Sequence, residues 1–513
     1  MKMERYLTRR DFLKLVGLLP LGMATPRLMM SLGASQLIQN GKKNVLVVVF
    51  DAFSASHLSL NGYQRETTPN LVRLAERAIV YHNHYAGGSF TPPGTASLLT
   101  GTLPWTHRAF QLKATVAEPF ATQNFFSAFQ NYYRIAYTHN GVANIFLEQF
   151  SNELDELVPW KTLFLQPYGE FIQNLFEKDS DIVSVSWTRN VNIKKEGYAY
   201  SLFLSHLYEV LRGNQFTDLK KLFPRGLPST GDAVNDFLLE YAIDWTGDRL
   251  TLIPQPFFGY FHFLPPHGPY NTSLEFTNRF SHDGFKPVEK PEDIFSEGEP
   301  SEKVLKKRIE YDEFLLYVDK EFNRLFNYME TSGLLENTWV IFTSDHGEIF
   351  ERGTIGHSSD ALYQPQIRIP LLIFEPGRKT RMDVHTLTSA VDVLPTLSHV
   401  TGHNIPDWTE GVILPPYADS NPDPNRNVYV MKATKNDKYV PITHASMALI
   451  KGRYKLLYYF GDVERGIDEM VKLYDIEADP EELVDLYPLQ KDAGDDLLDE
   501  LKTKLAEVDK PYL

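Results

Sequence analysis

Three short, mostly apolar runs dominate the pattern along the chain. Residues 44 to 50 read Asn-Val-Leu-Val-Val-Val-Phe and stop at Asp51. A strand with no polar face has to be covered on both sides, which is how strands of a parallel sheet are buried. The same kind of run returns at Phe257 to Phe263 and at Thr338 to Thr343, the latter leading into Asp345. A shorter strand is predicted over Arg134 to Tyr137. Between the strands the period changes to that of helices. Thr68-Pro69-Asn70-Leu71 opens one that runs to Ala78, and Pro92-Pro93 fill the first turn of another over 92–100, where proline needs no N–H partner. Further helices are predicted over Val234 to Trp245 and over 303–331, the latter with Phe314, Leu315, Val318, Phe322 and Leu325 on one face. Residues 150–230 give patches of helix and loop without a firm period. Alternation of strand and helix predicts an α/β domain with a central, mostly parallel sheet over 42–404. After the proline-rich stretch from Ile405 to Asn425, residues 446–460 and 472–476 predict antiparallel strands, and 493–507 a closing helix. These make a small C-terminal α+β subdomain over 426–513.

The first 34 residues do not belong to that pattern. Thr8-Arg9-Arg10-Asp11-Phe12-Leu13-Lys14 precedes a weakly apolar run from Leu15 to Met23, with small residues near Ala24 and Gly33-Ala34. Adjacent arginines ahead of a short apolar stretch predict a twin-arginine leader, and hence export to the periplasm, the cell surface or beyond. No window reaches the ~20 apolar residues that span a bilayer, so no stable membrane span is expected in the mature protein. The segment carries six basic and two acidic residues, and without it the formal charge falls from −15 to −19. An acidic surface disfavours nucleic acid and anionic lipid as partners. An anionic substrate must then be attracted locally, by metal, histidine or helix ends. The chain has no cysteine, which removes disulfides, thiolate metal sites and cysteine nucleophiles.

Ligands of open α/β sheets bind beyond the carboxyl ends of the strands. Asp51, His267 and the pair Asp345-His346 fall there. Carboxylate oxygen with imidazole nitrogen suits one divalent cation, zinc or manganese better than calcium or magnesium. Any single aspartate at a strand end is better read as a helix cap or turn former, and it is the four groups converging on one sheet edge that favour a metal. Thr91 stands where a helix begins. There a hydroxyl either caps the helix or meets its positive end, which stabilises an alkoxide and a bound oxyanion. His357, in the loop Gly353-Thr354-Ile355-Gly356-His357-Ser358, is either solvated or placed to hold an ester oxygen or protonate a leaving group.

Many short stretches now combine. They are Val48 to Asp51, Asn61-Gly62-Tyr63 to Thr68-Pro69-Asn70-Leu71, Ala96 to Gly101, His262 to Tyr270, Ser344-Asp345-His346-Gly347-Glu348, Arg368-Ile369-Pro370-Leu371 and Val391 to Thr396. Lys455-Leu456, Leu473-Tyr474-Asp475 and Asp479-Pro480-Glu481 extend the series to the C-terminus. In this order the chain resembles the sulfatase family of the alkaline phosphatase superfamily over nearly all of its length after the leader. The resemblance implies an alkaline-phosphatase-like α/β sandwich with a small C-terminal sheet. It also has departures. Sulfatases carry Cys or Ser in a C/S-x-P-x-R pattern and oxidise it to formylglycine; here the stretch is Thr91-Pro92-Pro93-Gly94-Thr95. The usual acidic pair after the first strand is Asp51-Ala52, and the later Asp-Asn is Asp345-His346. These changes resemble the phosphoryl-transferring members, such as phosphoethanolamine transferases and lipoteichoic-acid synthases, although the several membrane helices of those enzymes have no counterpart here.

What the resemblance implies is a hydrolase of anionic esters, acting on a phosphorylated or sulfated glycan, lipid or small molecule. Asp51, Thr91, Asp345 and His346 would surround the metal, and Thr91 would form a covalent ester. His267 and His357 would bind the substrate's oxygens, one of them protonating the leaving group, with Asn140 as a further substrate contact. A sulfuric ester hydrolase working without formylglycine is one alternative. A non-catalytic glycan- or lipid-binding relative is another, against which the retained Asp345-His346 and His357 speak. The leader generates a direct expectation: replacing both Arg9 and Arg10 by lysine leaves the protein in the cytoplasm on cell fractionation, whereas unchanged export would reveal a different route.

Overall fold

A computed structural model describes residues 41–118, 120–165, 218–230, 235–292 and 294–513. The leader over 1–34 and much of 150–230 lie outside the described residues. Eight strands form one sheet: β1 (Asn44–Phe50), β2 (Ile79–Tyr81), β4 (Tyr133–Thr138), β5 (Glu156–Leu157), β6 (Phe257–Phe263), β7 (Thr338–Thr343), β10 (Leu371–Phe374) and β11 (Met382–Val384). Their order is β11-β2-β10-β7-β1-β6-β4-β5. Strand β1 lies between β6 and β7, parallel to both, and the parallel set continues through β4 to β5. Only β10 runs against its neighbours, β7 and β2. Two short ribbons stand apart, β3 (His84–Tyr85) with β12 (Thr388–Ser389) and β8 (Ile349–Glu351) with β9 (Thr354–Gly356).

The unbroken apolar run of β1 is explained by its position. Leu46, Val48 and Phe50 point into one apolar layer, under the helices Ser301–Thr331 and Leu239–Leu252, and Val45, Val47 and Val49 into the other, under Thr91–Thr100 and Val393–Val400. Every residue of the strand is fully buried. Two expectations shift. The helix set at Val234 to Trp245, whose first residue lies outside the described residues, begins at Leu239 and runs to Leu252. Ahead of it Asp236 and Phe237 are extended and bridge Ser229 and Phe164, because Phe237 is buried in a cluster with Phe164 and Leu264 and packing overrides the local period. The helix opened by Pro69 stops at Ala75 rather than Ala78.

The C-terminal antiparallel sheet is ordered β13 (Asn427–Lys432), β14 (Ala445–Lys451), β15 (Tyr454–Asp462) and β16 (Ile467–Asp475), with a helix over Lys491–Asp509. It shares an apolar cluster with Leu103, Trp105 and Phe110 of the main body, and Arg108 pairs with Asp509 at 3.1 Å. Among the described residues no helix is long and apolar enough to cross a membrane. Truncating Leu46 in β1 to alanine leaves a void that this two-sided packing cannot close, and is expected to cost about 2–5 kcal/mol, read as a lowered urea midpoint.

Candidate active site

The parallel register brings the ends of three strands level. Val49 of β1 stands opposite His262 of β6 and Thr343 of β7, so Asp51, His262 and Asp345 meet at one edge. Just past β1 the Asp51 N–H donates to Phe263 O at 3.0 Å, and Ala52 then turns with a positive φ of 59°. That turn sends the Ala52 N–H to Asp345 Oδ1 at 3.3 Å, where the His346 N–H also donates at 3.0 Å. Asp345 Oδ2 accepts from Thr95 Oγ1 at 3.1 Å. Gly94 lies against the same residue so closely that a Cβ there would come within 2.1 Å of the Asp345 carbonyl oxygen.

Asp51 Oδ2 accepts from Asn140 Nδ2 at 2.5 Å and lies 3.2 Å from His262 Nε2, while Asp51 Oδ1 lies 3.3 Å from His346 Nε2. Both imidazoles also stand 3.8 Å from Asp345 Oδ2. His346 Nδ1 donates to the Gly347 carbonyl at 2.9 Å, which turns Nε2 toward the carboxylates. Buried Asp51 Oδ1 and His262 Nε2 have no hydrogen-bond partner. Asp51, His262 and Asp345 each offer a ligand atom, all within 4.8 Å of one another. Orphaned, converging oxygen and nitrogen donors fit one divalent cation. The electrostatics agree. Burial would raise the Asp51 pKa, yet His262 and His346 hold it well below the usual carboxylate range. Burial would lower that of His346, but Asp345 and Asp51 carry it to about 9. This pocket favours positive charge.

Thr91 is the first residue of its helix, and the cap position falls on Phe90, in extended conformation and without a side-chain hydrogen bond. The threonine is therefore not the helix cap. Its Oγ1 lies 3.4 Å from His346 Nε2 and 3.3 Å from Asn140 Nδ2. Asn140 is the residue that caps: its Oδ1 accepts from Val142 N at 2.7 Å and Ala143 N at 3.2 Å, which fixes the amide and aims Nδ2 at Asp51 and Thr91. His267 and His357 lie close by, their rings tilted at 54° with centroids 4.9 Å apart, and the His357 ring lies 4.5 Å from that of His346. His357 Nδ1 is held by both oxygens of buried Glu348 at 3.0 and 3.1 Å; burial lowers its pKa, and the Glu348 carboxylate opposes that. A cavity of about 640 Å³ opens here, lined by Thr91, Asn140, His267 and His357 with Trp160 and Leu264 among its walls.

All seven candidates read from the sequence thus come together in one place. Sequence reasoning missed His262, Thr95 and Glu348. His262 was visible as the one polar side chain in the otherwise apolar-aromatic run of β6; His267, five residues on, lies with His357 rather than between the carboxylates. Thr95 shows in the sequence only as the residue at the arginine position of the sulfatase pattern, and Glu348 only as the end of the run from Ser344; neither position by itself assigns the contact it makes.

Comparison with known proteins gives two family matches, "Sulfatase" over residues 43–403 and "N-sulphoglucosamine sulphohydrolase, C-terminal" over 357–511. The chain is 23% identical to choline-sulfatase of Rhizobium meliloti, over 86% of this chain and 81% of that protein. It is 22% identical to human arylsulfatase A, over 85% of each. Among solved structures, phosphonate monoester hydrolase of Agrobacterium radiobacter superposes with a TM-score of 0.64 at 18% identity, covering 92% of this chain and 96% of that one. A protein in complex with its substrate D-glucosamine-2-N,6-O-disulfate gives 0.62 at 17%, covering 92% and 98%. The described sheets match the folds of these structures.

The geometry puts His262 on the same footing as Asp345. His262→Ala and Asp345→Asn are each expected to lower bound divalent metal at least tenfold while the circular dichroism spectrum stays native. Wild-type metal content in purified His262→Ala protein would remove this histidine from the ligand set.

Proposed function

The chain belongs to the sulfatase family, and from that premise we propose that it is an exported, metal-dependent hydrolase of anionic esters that attacks phosphorus through Thr91. One observation carries this reading. The Thr91 hydroxyl, free of any capping role, stands between the Asn140 amide and the His346 imidazole at the floor of the cavity.

A divalent cation held by Asp51, Asp345, His262 and His346, with zinc or manganese the best match to the donors, would lower the pKa of a neighbouring hydroxyl and offset the charge of the ester. The residues supply the rest. Asn140 Nδ2 orients Thr91 Oγ1. Once that hydroxyl has given up its proton to solvent, Oγ1 bonds to phosphorus as the bond to the departing alcohol oxygen breaks. His267, its Nδ1 donating to Gly268 O at 2.7 Å, offers Nε2–H as an imidazolium to a non-bridging oxygen. With Nδ1 tied to Glu348, His357 has Nε2 free to hand a proton to the departing oxygen and later to take one from water as the water oxygen bonds to phosphorus and the bond from phosphorus to Thr91 Oγ1 breaks. Glu348 raises the basicity of that imidazole and fixes its tautomer.

The preference for phosphorus rests on Thr91 in place of a formylglycine precursor and on Thr95, which bonds Asp345, in place of the arginine of the sulfatase pattern. Sulfate esters are the second reading, favoured by the family match and by relatives whose names specify sulfatase activity. Export by the twin-arginine route is supported by Arg9-Arg10 ahead of Phe12-Leu13-Lys14, and that route accepts a protein already folded around its metal.

Substitution separates the roles open to Thr91. Thr91→Ala and Thr91→Asp are expected to be folded, metal-bound and inactive toward aryl phosphodiesters, phosphomonoesters and sulfates, and Thr91→Ser to keep measurable turnover. Wild-type protein quenched during turnover is expected to carry a phosphoryl-type adduct on Thr91 by mass spectrometry. Near-normal turnover of Thr91→Ala would instead make water the attacking group.

A further inference from the structure

Lys432, the last residue of β13, lines the same cavity yet is only 7% exposed. Its Nζ donates to Ser358 O at 2.5 Å and Ser359 O at 2.9 Å and stands 3.3 Å from Asp360 Oδ1. These are the three residues that follow His357. An ammonium has three N–H donors and no acceptor, so these partners use it fully and leave none for a substrate anion. Residues His357 to Asp360 belong to no helix or strand, so their carbonyls need donors from elsewhere. Gln366 Nε2 supplies one, to His357 O at 3.1 Å and Ser359 O at 3.3 Å. Arg465, in the turn between β15 and β16, binds Asp360 Oδ2 at 2.9 Å. Strand β13 also borders the approach to Thr91. The Met431 N–H donates to Gly87 O at 3.0 Å, and Lys432 Nζ lies 5.5 Å from the centre of the Phe90 ring.

We propose that Lys432 is a positioning residue for His357: the C-terminal sheet reaches into the active site through this ammonium and sets the loop that carries the imidazole. The inference rests on the reading that His357 acts on the substrate. A point charge shared by successive carbonyls fixes the height of the loop, and with it the distance from the free His357 nitrogen to an ester at Thr91. A misplacement of about 1 Å at a reacting group costs up to ~100-fold in rate.

The test compares Lys432→Met and Lys432→Arg in the wild-type and His357→Ala backgrounds, on an aryl phosphodiester with manganese added. Lys432→Met is expected to lower kcat about tenfold or more, with KM and metal content near wild type, and to lower it no further in His357→Ala. Lys432→Arg, which keeps the charge, is expected to recover part of the loss, and gives the same comparison should the methionine variant not fold. An equal loss in both backgrounds, or a rise in KM alone, would overturn the proposal by making Lys432 a substrate contact or a mere brace. If His357→Ala is impaired while both Lys432 variants are not, this inference alone falls. Full turnover of His357→Ala would bring down the role given to His357, and this inference with it.

Discussion

Two carboxylates, Asp51 and Asp345, are held side by side with essentially no access to water. Burying one uncompensated charge costs several kcal/mol, and two like charges add mutual repulsion. The surroundings answer that cost group by group. Backbone N–H groups of Ala52 and His346 and the Thr95 hydroxyl serve Asp345, and the Asn140 amide serves Asp51. Two imidazoles face both. The two carboxylates are left with a shared space that only positive charge stabilises, which is the physical reason these residues fit a divalent cation.

Keeping that arrangement requires support from distant parts of the chain. The left-handed turn at Ala52 is secured by the long helix Ser301–Thr331, where the Tyr311 hydroxyl donates to Ala52 O at 2.7 Å and accepts from the Ser54 N–H at 2.9 Å. One residue on, Asp312 receives His57, Tyr63 and Arg65 at 2.6, 2.7 and 2.8 Å, so the segment after Asp51 is anchored twice to one helix turn. On the other side, Gly94 lets the helix of Thr91 touch the backbone of Asp345. Thr91 and the carboxylates are thus set by direct backbone contact, which keeps their separation short and leaves little slack. The His357 side depends on the small antiparallel sheet, through Lys432 and Arg465.

Much of the framework was legible because it follows from short-range periodicity. A strand buried on both faces has to be an apolar run, and β1, β6 and β7 were found to the residue. The strands β2, β10 and β11 are only three or four residues long, too short for a period to show. The helix ahead of β6 was misplaced because the burial of Phe237 against Phe164 is a tertiary contact that local propensity does not encode.

The same division runs through the site. The residue types at the strand ends, the absence of cysteine and the threonine in place of a formylglycine precursor were fixed by sequence alone, and they exclude a cysteine nucleophile and a thiolate metal site. Which histidine stands between the carboxylates was decided by strand register: opposite Val49 the parallel pairing places His262, while His267 lies beyond the strand end beside His357. That Thr91 is the first helical residue and not the cap, that Asn140 spends its oxygen on a helix and its nitrogen on Asp51, and that Glu348 holds His357 all depend on side-chain directions. Those directions are set by contacts between residues far apart in the chain, and a linear pattern carries no record of them.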